Sequence, residues 1–197
     1  MADKRSVEKE VLGLENKVLP LINFLDIEDS CRKALLFLDK ATQLDNNCYT
    51  CFSNKLIFQN ALKNYTEAIS TINQCIRLNP QSYDLYLKGG VFYAKNGDSV
   101  NAKSYFQKAL ELCSAKISLD KTMDKPFQQQ GDYDWYVSRI DQAIILKLLG
   151  ENEKADTILT NIYSIPPTYS QDTEAIRKSI VSILASDRKQ LLDSTFR

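Results

Sequence analysis

Apolar residues recur along this chain at helical spacing, and the spacing itself repeats. Ala34, Leu38, Ala41 and Leu44 stand at steps of four, three and three, which keeps them on one helical face. A shift of 34 residues reproduces the row as Ala68, Ile72, Cys75 and Leu78, and a second shift gives Ala102, Phe106, Ala109 and Leu112. Phe24, Phe58 and Phe92 lie upstream in the same register. A fourth row, Ala155, Leu159, Ile162 and Ile165, follows after 53 residues, so 19 residues are inserted at roughly 117–135. Short polar turns divide the units at Lys63-Asn64, Asn96-Gly97-Asp98 and Gly150-Glu151-Asn152. Helix-stopping residues follow the rows at Asp45-Asn46-Asn47, Asn79-Pro80-Gln81 and Pro166-Pro167. The pattern predicts helix, tight turn, helix, four times over. A single such pair cannot bury its apolar face, so neighbours must stack.

These residues resemble the tetratricopeptide repeat family. The segment 83–116 carries Tyr86, Gly89-Gly90, Tyr93, Gly97, Ala102, Phe106 and Ala109 at the family's signature positions. The segment 49–82 carries Phe52, Leu56, Ala68, Ile72, Cys75 and Pro80, and 136–169 carries Ala143, Leu146, Gly150, Ala155 and Pro167. The first unit, 15–48, keeps its second helix, whereas Pro20 falls inside its first and predicts a kink or a late start there. The resemblance implies an all-α fold: a right-handed α-α superhelix of about four helix pairs over 15–169. Residues 1–14 form a helical extension, and 170–197 a C-terminal capping helix and tail. In that cap Ala175, Ile176, Ile180, Ile183 and Leu184 form the apolar face.

Composition narrows the chemistry. The chain has 197 residues, 25 Lys plus Arg against 25 Asp plus Glu, and no histidine. A balanced charge argues against nucleic acid as a partner. The missing histidine removes Ser-His-Asp and Cys-His nucleophiles and histidine-ligated metals. No phosphate-cradling loop occurs, because Lys88-Gly89-Gly90 lies inside a predicted helix. No catalytic residue, metal or cofactor is expected. No stretch is long enough for a membrane span, and the charged N-terminus is unlike a signal peptide. Five cysteines at irregular spacing do not read as a secreted framework. These features predict a cytoplasmic protein, or an extracytoplasmic one if a leader has been removed.

Two motifs carry alternatives. Cys48-Tyr49-Thr50-Cys51 is a C-x-x-C without the neighbouring βαβ pattern of a redox domain, so it reads first as a helix start at a repeat boundary. A thiol-redox accessory role is the competing reading, and a structural subunit of a larger complex is another. The insert holds Gln128-Gln129-Gln130-Gly131-Asp132, read as a solvated loop, and ends in Tyr133, Trp135 and Tyr136. Trp135 reads as a packing residue at the start of the fourth repeat before it reads as a recognition residue.

The resemblance implies a function and a surface. The expected protein is a non-catalytic interaction scaffold that holds a peptide or protein segment in the concave groove lined by the first helix of each pair. Groove positions are Asn23, Asn54, Ile57 and Asn60, then Lys88, Val91 and Lys95, then Ile140, Asp141, Ile144 and Lys147. Some family members clamp a C-terminal carboxylate with two asparagines and three cations. Asn23 and Asn54 match the asparagines and Lys88 one cation, but Leu19 and Asp84 stand where the other cations belong. That departure removes most of the charge-assisted bonding such a clamp needs.

Overall fold

The structure is a computed structural model that describes residues 4–122, 133–164 and 173–195. Among the described residues every regular element is helical: α1 (Lys4–Val18), a 3-10 stretch (Leu19–Phe24), α2 (Glu28–Leu44), α3 (Tyr49–Ala61), α4 (Tyr65–Leu78), α5 (Tyr83–Lys95), α6 (Ser99–Thr122), α7 (Tyr133–Leu149), α8 (Asn152–Tyr163), α9 (Thr173–Ala185) and α10 (Arg188–Ser194). They gather into two compact units. One holds the chain up to Gln81 together with Lys95–Gly97; the other holds Ser82–Ala94 and the chain from Asp98 onward.

The repeated turns have one backbone mechanism. At the end of α3, α5 and α7 a residue takes a left-handed conformation: Lys63 (φ 58°), Gly97 (φ 83°) and Gly150 (φ 87°). The next amide then reaches back five residues, from Asn64 to the Gln59 carbonyl, Asp98 to Tyr93 and Glu151 to Leu146, each at 2.9 Å. This closure satisfies carbonyls that a helix end otherwise leaves open. The first helical bond of the following helix is donated by Ala68, Ala102 or Ala155. The alanine that marks the sequence register therefore also marks the first turn of each second helix.

In the first unit α2 buries Cys31, Ala34, Leu38 and Ala41, and α4 buries Ala68, Thr71, Ile72 and Cys75. Val11, Leu14 and Val18 of α1 join the α2 core with Phe58 of α3. The boundary read between residues 14 and 15 thus falls inside α1, which runs unbroken from Lys4 to Val18. Pro20 brings a stop in place of the expected kink or late start: the α-helix ends at Val18 and the chain continues as a 3-10 stretch with proline in its first turn. Between α2 and α3, Asp45 accepts the Asn47 amide at 2.9 Å, and Arg77 donates to the Asn46 carbonyl at 2.7 Å. Lys95 lies over the Tyr65 ring at 5.8 Å, which joins the end of α5 to this unit.

In the second unit small residues set the spacing of the helices. Gly90 of α5 faces the Phe106 ring of α6, and Tyr105 sits between Tyr86 and Tyr93 with centroids 5.8 and 4.8 Å away. α6 continues into the insert, through Ile117 to Thr122; residues 123–132, with the expected loop at 128–132, lie outside the described residues. Trp135 stacks on Arg139, 4.0 Å from ring centroid to guanidinium, and meets the buried Tyr136 edge-on.

The C-terminal cap is two helices rather than one. A capping box at Asp187 restarts the chain as α10, with Asp187 accepting the Gln190 amide and the Gln190 side chain accepting the Asp187 amide. α9 packs on α7 and α8, and α10 on α7. Ile176, Ile180, Ile183 and Leu191 are buried, whereas Ala175 and Leu184 of the expected apolar face are exposed. No described helix is long and apolar enough to cross a membrane.

Candidate functional site

The first helices of the pairs carry the residues singled out for binding, and the structure sorts them. On α3, Asn54, Ile57 and Asn60 recur every three residues and are all half-buried. Asn60 has a buried side-chain oxygen with no hydrogen-bond partner. Asn23 lies in the 3-10 stretch and is exposed. These four belong to the first unit.

In the second unit a polar cluster forms where α5, α6 and α7 meet. The Tyr83 hydroxyl donates to Asp141 at 2.8 Å, and Lys88 donates to Asp84 at 2.7 Å. Lys116 lies over the Tyr83 ring at 5.5 Å. Burial raises the Asp141 carboxyl above the ordinary carboxylate range; the Tyr83 hydrogen bond opposes this, Asp84 adds to it, and Lys116 and Lys88 oppose it. Tyr83 is raised in turn, chiefly by burial and then by Asp141. Beneath the cluster the buried Cys113 thiol donates to the Ser138 carbonyl at 3.3 Å, and burial pushes it up to about 12. Ile144 is half-buried one turn beyond Asp141, and Ile140 is half-buried beside it.

Two residues read as groove-lining are elsewhere. Val91 is fully buried in the core. Lys147 is also buried, with its ammonium 3.0 Å from Asp156 and donating to the Leu184 carbonyl at 3.2 Å. The cap over α7 encloses that position, so its cation holds the fold together. Lys95 is committed to Tyr65, as described above. Lys88, the one cation matching a carboxylate clamp, is paired with Asp84, one of the two departures from that pattern. Tyr83, Lys116 and Cys113 were absent from the expected surface because they stand at helix ends or on second helices, where the repeat register marks no inward position.

The C-x-x-C motif begins α3. Cys48 and Cys51 are joined by a disulfide, and the Cys48 sulfur, as the helix N-cap, accepts the Cys51 amide at 3.2 Å. Glu15 approaches both sulfurs, the one grouping of three metal-type donors among the described residues. Its carboxylate accepts the Thr50 hydroxyl at 2.6 Å, and the sulfurs are bonded to each other.

Comparison with known proteins agrees with the repeat geometry. The Tetratricopeptide repeat family matches residues 56–82 and 83–116. The chain is 25% identical over 141 residues to mouse sperm-associated antigen 1, covering 67% of this chain and 15% of that protein. It is 26% identical over 99 residues to heat shock protein STI1 of Saccharomyces cerevisiae, covering 50% and 17%. It is 24% identical over 162 residues to anaphase-promoting complex subunit 3 of Schizosaccharomyces pombe, covering 75% and 24%. The chain thus spans at most about a quarter of the length of these relatives. Among solved structures it resembles MamA (TM-score 0.47, 15% identity, 84% of this chain and 88% of that chain). It also resembles YrrB, described as a TPR protein with an unusual peptide-binding site (0.44, 19%, 98% and 93%). The family match thus identifies two consecutive tetratricopeptide repeats in this chain, 56–82 and 83–116.

Proposed function

We propose that this protein is a non-catalytic scaffold that holds a segment of another polypeptide on the exposed sides of its first helices. In the first unit Asn23, Asn54, Ile57 and Asn60 supply amides and one aliphatic contact. In the second, Lys88, Asp141, Ile140 and Ile144 supply opposite charges and aliphatic surface. The observation that carries this reading is Asp141. A carboxyl half-buried among three helices, with Tyr83 as its hydrogen-bond donor, is costly to the fold and suited to a donor from a bound chain. The pairing of Lys88 with Asp84 favours a mixed-charge segment over one ending in a free carboxylate. One relative is by name a subunit of a complex, and membership of an assembly is compatible with this surface.

The test is affinity capture with the wild-type chain and with Asn54→Ala combined with Lys88→Ala. Both residues are partly exposed, so the fold should survive, as a circular dichroism melt will verify. The double variant should lose at least one partner. An unchanged set of partners in unchanged amounts discards the reading.

A further inference from the structure

A second polar recess lies in the first unit, around the side of α3 turned away from Asn54 and Ile57. Gln59 is five residues beyond Asn54, about 140° around the helix at roughly 100° per residue. The recess has a volume of about 350 Å³ and is bounded by α2, α3 and α4 through Asp39, Lys55, Gln59, Glu67, Ser70 and Thr71, with Leu35 at its edge. That volume falls in the range of ligand sites.

Gln59 makes this recess more than a gap. Its side chain is 3% exposed, and its Oε1 is buried without a hydrogen-bond partner. A buried acceptor lacking a donor destabilises a fold and calls for an explanation. The walls supply the charge. Lys55 is spent on Asp39 at 2.6 Å, while Glu67 is exposed and makes no ion pair among the described residues. The recess therefore offers one uncompensated carboxylate and one starved amide oxygen, carried on different helices.

We propose that this recess binds an arginine side chain presented by a partner polypeptide. A guanidinium is planar, always charged, and carries five donors on fixed edges, so it serves acceptors on two walls at once. An ammonium presents its three donors from a single atom. Leu35 gives the methylene stem an apolar contact. The site is separate from the first-helix surface proposed above and stands or falls independently of it.

The experiment is an NMR titration of the full-length, ¹⁵N-labelled chain with N-acetyl-arginine methylamide. Amide shifts should concentrate on residues 55–71, and the neutral citrulline counterpart should bind about tenfold more weakly. Glu67→Gln, a surface change, should weaken the arginine probe about fivefold. Gln59→Met keeps the side-chain length and removes the starved oxygen. It should hold or raise the melting temperature while weakening the probe about tenfold. Asn54→Ala with Lys88→Ala should leave the titration unchanged. Absence of shifts in this region at millimolar probe, an equal response to citrulline, or full affinity in Gln59→Met would overturn the proposal. Guanidinium chloride binding as well as the probe would overturn the polypeptide part of it.

Discussion

Gly90 lies against the ring of Phe106 so closely that a β-carbon placed on it would stand 2.5 Å from two ring carbons. The glycine is required by that approach rather than by its backbone angles, because it sits inside α5. Gly90→Ala forces the ring or the helix to move and should cost about 1–3 kcal/mol in urea unfolding. Adding Phe106→Leu should return part of that loss, a coupling of at least about 0.5 kcal/mol. An alanine variant as stable as wild type would mean that α5 and α6 do not pack this way.

Lys63 occupies the left-handed position that Gly97 and Gly150 fill in the later turns. A side chain there is strained whatever space surrounds it. Lys63→Gly should stabilise the chain by about 1 kcal/mol, since relief of strain outweighs the added freedom of the unfolded state. Gly97→Ala should shift stability the other way by about the same amount. Thermal unfolding of the two variants beside wild type measures both.

Asp141 makes stability depend on pH in a defined direction. Its carboxyl is raised in the folded protein, first by burial, with Tyr83, Lys116 and Lys88 opposing and Asp84 adding. A raised group contributes stability that is fully present below the unfolded value of about 3.9 and is lost as the pH climbs through the folded value. Asp141→Asn keeps an acceptor for Tyr83 and carries no charge. Its melting temperature should exceed that of wild type at pH 7, and the difference should shrink as the pH falls toward 3. A difference that grows in acid would contradict the assignment.

The five cysteines divide into one bonded pair and three buried thiols, Cys31, Cys75 and Cys113. Denatured but unreduced protein should therefore titrate three thiols, rising to five after reduction. In native, reduced protein at pH 8, alkylation followed by mass spectrometry should find Cys48 modified first, because it is half-buried at a helix start while the other four cysteines are buried. Cys113, pushed up to about 12 by burial, should stay unmodified. Early modification of Cys113 would show that α6 and α7 open far more readily than their packing implies.

Much of this fold is legible in the sequence because one physical requirement recurs. Ala68, Ala102 and Ala155 are small where helices close on each other, and each donates the first helical hydrogen bond in the second helix of its pair. The turns are equally legible, Lys63-Asn64 among them; what the residue types do not show is the left-handed angle of Lys63, which glycine announces in the other two turns. The binding surface is less legible. Helical phase put Asn54, Ile57 and Asn60 on one side of α3, where all three are half-buried, but it assigned Val91 and Lys147 to the same kind of surface, and both are buried. Phase describes a lone helix, and burial is decided by what lies on it: α9 and α10 cover α7, and Lys147 is enclosed. Gln59 escaped for the opposite reason, as a polar residue on a side of α3 that periodicity assigns to the core.

The seam holding α9 and α10 to α7 has an evolutionary corollary. Lys147 donates to the Leu184 carbonyl, and Arg188 donates to the Leu148 carbonyl at 3.0 Å. Main-chain oxygens are present whichever amino acid contributes them, so positions 148 and 184 can drift without unfastening the two polar latches. The latches depend instead on the two long cations, whose exchange for shorter or neutral side chains would unmoor the end of the molecule.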